Sequence, residues 1–183
     1  MLLPDPFLFP RLSTQRLELR ELTDEDAAFI YSLRSNSIVN KYLERVACNS
    51  IEDATAFIHK IQKNIRTNES FYWLIVLKNE NKPVGTIGLF QFSPEEKSAE
   101  IGYELYPQYH SKGIMMEAMR EVIQYVFSNT GLKKLYGYTH VHNMASIKLL
   151  EKNAFKRDAA EKMRKQSDEL ENMVIYSLTR PDN

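Results

Sequence analysis

The sequence predicts a mixed α/β fold: a mostly antiparallel sheet with one parallel strand pair at its centre and helices on both faces. Three observations predict it. Short runs rich in β-branched and aromatic residues alternate apolar and polar side chains with period two, as strands do. Other runs repeat apolar residues at helical spacing behind good N-cap residues. One such helix, starting at Ile114, lies between two strands, and a strand–helix–strand crossover makes its strands parallel and right-handed.

Taken in order, Met1 to Ser13 reads as a loose arm, and a single domain runs from residue 14 to 180. Gln15 to Leu22 alternates, with Leu17, Leu19 and Leu22 turned inward, and gives a first strand. Thr23 suits an N-cap, with Asp24, Glu25 and Asp26 in the first helical turn and Ala27, Ile30, Tyr31 and Arg34 continuing the helix. A short second helix is expected around Val39 to Leu43. Ser50 caps the next helix, with Asp53 at the capping-box position and Ile51, Ala54, Ile58, Ile61 and Ile65 as its apolar stripe.

Phe71 to Leu77 is a buried strand, Asn79 to Lys82 a hairpin turn and Pro83 to Phe90 the partner strand. Ser93 to Glu96 turns the chain into a strand marked by Ile101, Tyr103 and Leu105. Pro107, which has no N–H, stops its ladder, and a polar loop runs from Gln108 to Lys112. The Ile114 helix carries Ala118, Val122, Tyr125 and Val126 on one side and ends near Gly131. Lys134 to His140 is a fifth strand. Asn143 caps a helix to about Lys152, with Ile147, Leu150 and Ala154 inward. A final hairpin is expected: a strand from Phe155 to about Lys165, a turn at Gln166 to Asp168, and a strand from Met173 to Leu178.

Composition narrows the function. Lys plus Arg equals Asp plus Glu, 24 each in 183 residues, which argues against a broad basic face for nucleic acid. The lone cysteine, Cys48, cannot form an intramolecular disulfide and fits a reducing compartment, so the cytoplasm is the expected location. The apolar start is broken by Asp5, Pro4, Pro6 and Pro10, and reads as neither a signal peptide nor a membrane span. His140 and His142 alternate like metal ligands, but no partner set accompanies them, so no metal is expected.

The strand, loop and helix around Gly113 carry the chemistry. The first amides of a helix lack intrahelical partners, the helix dipole adds positive charge there, and Gly113 has no Cβ, so a phosphate or pyrophosphate can approach the backbone. The loop is neither a P-loop nor a Gly-x-Gly-x-x-Gly dinucleotide loop. Gly113 equally suits a plain strand-to-helix turn, so these residues leave the ligand open.

Four segments in order, Leu12 to Arg20, Pro83 to Gly88, Ala99 to Ala118 and Asn143 to Phe155, resemble the GNAT superfamily of acetyl-CoA-dependent N-acetyltransferases. The branch that acetylates ribosomal-protein N-termini, the RimJ/RimL type, is the most similar, over nearly the whole chain. The resemblance implies a GNAT-like sheet whose parallel pair splays to admit the cofactor. It implies that His110, Ser111, Lys112, Gly113, Ile114 and Met115 form the pyrophosphate loop, with backbone amides from Ser111 to Met115 as donors. His110 stands where the family has Gln or Arg, and Met115 where it has a small residue; neither change removes a backbone donor. Tyr103, Leu105 and Tyr106 are placed beside the thioester, and Asn143 and Ser146 match the Asn-x-x-Ser that faces the cofactor.

Acetyl transfer from a thioester needs a neutral amine, donors for the oxyanion and a stabilised thiolate. A backbone N–H near Leu105 is the expected oxyanion donor, and Glu104 the expected base, with Glu100 as alternate. The tyrosine that serves as acid in many GNAT enzymes falls at Leu150 here, which leaves Ser146 as the expected thiolate donor. The resemblance thus implies direct transfer to a primary amine, a protein or peptide N-terminus by branch, with a small amine or polyamine as the alternative. A CoA-binding sensor without turnover is the alternative from another class, supported by the leucine at position 150. The acidic run Glu161, Asp168, Glu169 and Glu171 is a candidate attractor for the amine. No nucleic acid or membrane partner is expected, and the oligomeric state is not legible.

Overall fold

Every residue of Phe71–Leu77 is buried, because this strand has an apolar layer on each of its faces. It is the third strand of one sheet. The computed structural model describes residues 9–43, 45–161 and 171–181. Along the chain these form β1 (Leu12–Ser13), β2 (Leu17–Arg20), α1 (Ala27–Ser35), α2 (Ser37–Asn40), α3 (Ile51–Arg66), β3 (Phe71–Leu77), β4 (Lys82–Ser93), β5 (Ser98–Leu105), α4 (Ile114–Asn129), β6 (Lys134–His140), α5 (Met144–Lys152), β7 (Lys156–Arg157) and β8 (Met173–Thr179). The sheet order is β1-β2-β3-β4-β5-β6-β8-β7. Among the described residues only β5 and β6 pair parallel; every other neighbouring pair of the sheet is antiparallel. Among the described residues, no helix is long and apolar enough to cross a membrane.

The period of two along β3 sorts its side chains into two layers. Phe71, Trp73, Ile75 and Leu77 join Leu17, Leu19, Ile87, Leu89 and Ile101 under Ala118, Met119, Val122 and Val126 of α4. Tyr72, Leu74 and Val76 face Ile30 of α1 and Ala54, Ile58, Ile61 and Ile65 of α3. Each fully buried Leu or Ile contributes about 1.5–3 kcal/mol by leaving water. Trp73 is wholly buried, and its indole N–H donates to the Pro10 carbonyl at 2.7 Å. That bond and the β1–β2 pairing hold residues 10 to 13 on the sheet, so the end of the expected arm is ordered strand. Residues 1–8 lie outside the described residues.

Several boundaries differ from the sequence reading, each for a local reason. The second helix covers Ser37–Asn40, because the Asn36 carboxamide accepts from the amides of Ile38 and Val39 and starts it early. Asp26 caps its own turn by accepting from the Thr23 N–H at 2.8 Å and from both Arg20 Nη atoms at 2.8 Å. Ser50 Oγ accepts from the Asp53 amide as expected, but Ile51 lies 49% exposed at the helix start and leaves the apolar stripe. The expected loop after Pro107 is a 3-10 turn, Pro107–Tyr109, that buries the Tyr109 ring. Thr130, not Gly131, caps α4, with its hydroxyl donating to the Val126 carbonyl at 2.7 Å.

Past α5, Ala154 takes a positive φ of 64° and is exposed, while Phe155 fills the inward place. Of the long strand expected from Phe155 to Lys165, the stretch from 162 to 165 lies outside the described residues, and the described residues 155–161 form strand only at Lys156–Arg157. Asp158 ends it: its Oδ1 accepts from the Glu161 amide and starts a helical turn at 159–161, while its Oδ2 accepts from Lys134 and Ser177. The turn expected at Gln166 to Asp168 lies outside the described residues.

Candidate active site

The parallel pair is short. Ser98, Ala99 and Glu100 face Lys134, Leu135 and Tyr136, and beyond these β5 runs five residues further without a β6 partner. The Tyr106 N–H donates to Val84 on the β4 side at 2.9 Å. Alternation then turns the N–H groups of Ile101, Tyr103 and Leu105 toward the side that β6 has left. The Leu105 carbonyl on that edge bonds to His110 Nε2 at 2.9 Å, which makes Nε2 the protonated ring nitrogen.

At the open end of β5 the chain makes the expected strand–loop–helix. Ser111 and Gly113 take positive φ values of 61° and 74°, and α4 starts at once. No described residue accepts from the amides of Ser111 to Met115. Unpaired donors at the start of α4, together with the helix dipole, make a setting for an anion. A Cβ on Gly113 would meet only Arg16 Nη2, at 3.5 Å, so the approach is open. The residues therefore fit a pyrophosphate.

Arg16 and Glu117 brace this loop, and neither was legible as a site residue in the sequence. The Glu117 carboxylate accepts from Thr14 Oγ1 at 2.5 Å, the Arg16 amide at 2.9 Å and Arg16 Nε at 2.6 Å. Arg16 Nη1 donates to the Lys112 carbonyl at 3.1 Å. Burial alone would raise the Glu117 pKa, but these donors outweigh it and hold the group below its ordinary value. A cavity of about 660 Å³ beside the loop has Arg16, Lys78, Lys112, Glu80 and Tyr109 among its lining residues.

The two faces of β5 carry different chemistry. On the α4–α5 face, the Tyr103 hydroxyl lies 2.8 Å from Ser146 Oγ. Burial pushes the Tyr103 phenol up to about 12, with the Ser146 bond opposing the shift. The Asn143 side chain accepts from the Ser146 amide at 3.2 Å, so it caps α5 and sets Ser146 at the same time. Leu150 is 1% exposed and packs over Gly137, where a Cβ would stand 2.6 Å from Leu150 Cδ2. The position at which the resemblance expects an acid is thus core.

On the α1–α3 face stands Glu104. Both of its oxygens accept from Arg45, Oε2 at 2.9 Å, and Arg34 Nη1 lies 3.5 Å from Oε1. The Glu104 side chain is 13% exposed and each arginine 17%, so the carboxylate is a shielded ion-pair centre and not a lone group on the sheet surface. The Arg34 guanidinium stacks 3.8 Å over the Phe57 ring. Arg45 also donates to Asn40 Oδ1 at 2.7 and 2.9 Å. Beyond the strand end, Tyr106 reaches α1, with its hydroxyl 2.5 Å from Ser32 Oγ. Arg34 did leave a sequence signal: a charged residue in the stripe of Ala27 and Ile30. Arg45 left none.

The remaining candidates separate from this centre. Glu100 lies where β5 and β6 are still paired. His140 packs on Tyr42, and its Nδ1 accepts from the His142 amide at 3.2 Å. Among the described residues no group of three or more His, Cys, Asp or Glu could hold a metal. Glu161 is 6% exposed beside the Tyr136 hydroxyl, a buried partner and not a solvated attractor. Asp168 and Glu169 lie outside the described residues. Cys48 is buried, with its Sγ 3.3 Å from the Ser50 carbonyl.

Comparison with known proteins gives the family and the fold. The family model "Acetyltransferase (GNAT) domain" matches residues 16–156. The uncharacterized N-acetyltransferase YoaA of Bacillus subtilis is 31% identical over 95% of this chain and 99% of its own length. A spermidine N(1)-acetyltransferase of Vibrio cholerae is 24% identical over 76% of this chain and 79% of its own. The crystal structure of a ribosomal-protein-S5-alanine acetyltransferase from Vibrio fischeri shares the fold, with a TM-score of 0.79 at 19% identity over 94% of this chain and 98% of that one. The chain belongs to the GNAT family, as an acetyl-CoA-dependent N-acetyltransferase.

Proposed function

We propose that this enzyme acetylates the α-amino group of a peptide or amino-acid-like acceptor, by direct attack in a ternary complex with acetyl-CoA. One observation carries the reading. The splayed edge of β5 has a hydroxyl pair, Tyr103 and Ser146, on one face and a shielded carboxylate, Glu104, on the other. A thioester in the slot between β5 and β6 presents its sulfur to the hydroxyls and its carbonyl carbon to an amine arriving past Glu104.

In this reading the amides from Ser111 to Met115 and the α4 N-terminus hold the pyrophosphate, and Asn143 and Ser146 line the path of the cofactor arm. The Leu105 N–H donates to the carbonyl oxygen as negative charge develops there. The amine nitrogen forms the new C–N bond, and the C–S bond breaks. Within the Tyr103–Ser146 pair one hydroxyl donates to the other and the remaining hydrogen is donated to the leaving sulfur, and the proton lost by the amine ends on the thiol. A phenol at about 12 is a weaker acid than an alkyl thiol at about 8.5, so the pair stabilises the sulfur by hydrogen bonding and does not give up a proton outright. The α-amino group of a peptide is half neutral near pH 8, at about 7.7–8.0. Little is then asked of Glu104 as a base, and a carboxylate anchored by Arg45 suits an acceptor that orients the amine N–H.

Two arginines against one carboxylate favour this acceptor class over a polyamine, which brings several positive charges of its own. Steady-state thiol release, corrected for acetyl-CoA hydrolysis, tests the reading with tripeptides bearing free N-termini and with spermidine. Faster turnover of the peptides supports it. Saturable turnover of spermidine alone refutes it.

A further inference from the structure

The Arg34 guanidinium makes no hydrogen bond to any described residue, although its side chain is only 17% exposed. Its contacts are the Phe57 ring at 3.8 Å and the Glu104 carboxylate at 3.5 Å, too long for a bond. Arg45 by contrast spends its donors on both Glu104 oxygens and on Asn40. A sequestered guanidinium left with its planar fork of donors unbonded is costly unless something accepts from it. Stacking on Phe57 fixes the plane of that fork beside the group that orients the amine.

We infer that Arg34 binds a carboxylate carried by the acceptor, close to the amine that is acetylated. This rests on the proposed α-amine reading and deepens it. Glu104 takes the N–H side of the acceptor, Arg34 takes its anionic side, and Arg45 holds Glu104 in place between them. The 3.5 Å between Arg34 Nη1 and Glu104 Oε1 puts the two recognition elements side by side, as an amine and a carboxylate only a few bonds apart require. A guanidinium fork matches a carboxylate in bidentate fashion. The carboxylate has two possible sources: the α-carboxylate of a free amino acid, or the acidic side chain of a peptide's first residue.

Matched acceptors separate the possibilities. Alanine against alaninamide, each compared at the pH-independent plateau of its own rate profile so that both amines are neutral, tests the α-carboxylate, and Glu-Ala-Ala amide against Gln-Ala-Ala amide tests the side chain. With the wild-type enzyme, one acidic member is expected to exceed its neutral isostere in kcat/KM by about tenfold or more, as for a charge-assisted hydrogen bond. In Arg34→Gln that preference falls to about twofold or less, and Arg34→Lys keeps part of it, as a point charge without the fork should. Calorimetric acetyl-CoA binding and the thermal midpoint show whether each variant is folded and loaded. Equal rates within both pairs, or an acidic preference that survives Arg34→Gln, overturn the inference and leave the α-amine reading standing. Turnover of spermidine with none of the four overturns both.

Discussion

The hydroxyl of Tyr103 stands 2.8 Å from Ser146 Oγ, joining the unpaired half of β5 to the first turn of α5. The bond spans 43 residues of sequence and couples two donors at the place where the sheet parts. Removal of either hydroxyl should therefore cost nearly as much as removal of both. Tyr103→Phe and Ser146→Ala are each expected to lower kcat by about tenfold to a hundredfold, with the double variant close to the worse single one. Single-turnover rates at saturating acetyl-CoA check this. Additive losses would mean that the two hydroxyls act separately.

The pH profile follows from the same pair. Burial raises the Tyr103 phenol to about 12, so it stays protonated until well above the ordinary tyrosine value of about 10. Rate should rise with pH as the acceptor amine loses its proton near about 8, then stay level to about pH 11. A falling limb centred near pH 10 in the wild type, absent in Tyr103→Phe, would contradict the shielding of this phenol.

Glu117 ties the cofactor loop to the first strands through three hydrogen bonds to Thr14 and Arg16. Glu117→Ala leaves those donors unpaired and frees the first turn of α4. A loss of about 1–3 kcal/mol in stability is expected, read by urea denaturation. The KM for acetyl-CoA should rise by more than kcat falls, because the residue holds the loop and does not meet the reacting atoms. The Glu117 pKa is lowered in the fold, so its contribution is present above the unfolded value and is lost as pH falls through the folded one. Stability of the wild type and of Glu117→Ala should accordingly converge in acid.

Leu150→Tyr restores the residue type that many GNAT enzymes have at this position. Leu150 is 1% exposed against Gly137, so the larger ring has no room. The expected result is destabilisation of about 1–3 kcal/mol by overpacking, with no gain in kcat. A gain in kcat in Leu150→Tyr would show that this position reaches the sulfur after all.

Local patterns carried most of the fold. The unbroken apolar run Phe71–Leu77, the spacing of Ala54, Ile58, Ile61 and Ile65, and Asn143 ahead of α5 all follow from near neighbours, which is why their elements were legible. Failures came where one side chain redirected the backbone. Asp158 bonds to Lys134 and Ser177 and cuts short a strand that alternation alone would have extended. The site divided the same way. Gly113 and Asn143 announce themselves through backbone roles, since a positive φ and a helix cap have sequence preferences. The partners of Glu104 and Glu117 are set by tertiary packing: Arg45 lies 59 residues from Glu104, and Arg16 lies 101 from Glu117. No spacing rule reaches that far. Only Arg34, a charge within the apolar stripe of α1, carried a local sign of its position.

The most direct test of the two-faced site is calorimetric titration with acetyl-CoA of the wild type, Gly113→Glu and Arg34→Gln. Gly113→Glu puts a side chain and a negative charge at a backbone φ of 74°, where the pyrophosphate approaches. The expected result is one-site binding in the wild type, its loss in Gly113→Glu with the fold intact, and unchanged affinity in Arg34→Gln, since Arg34 stands on the acceptor face. Wild-type affinity in Gly113→Glu would contradict the cofactor loop, and a collapse of affinity in Arg34→Gln would contradict the separation of the two faces.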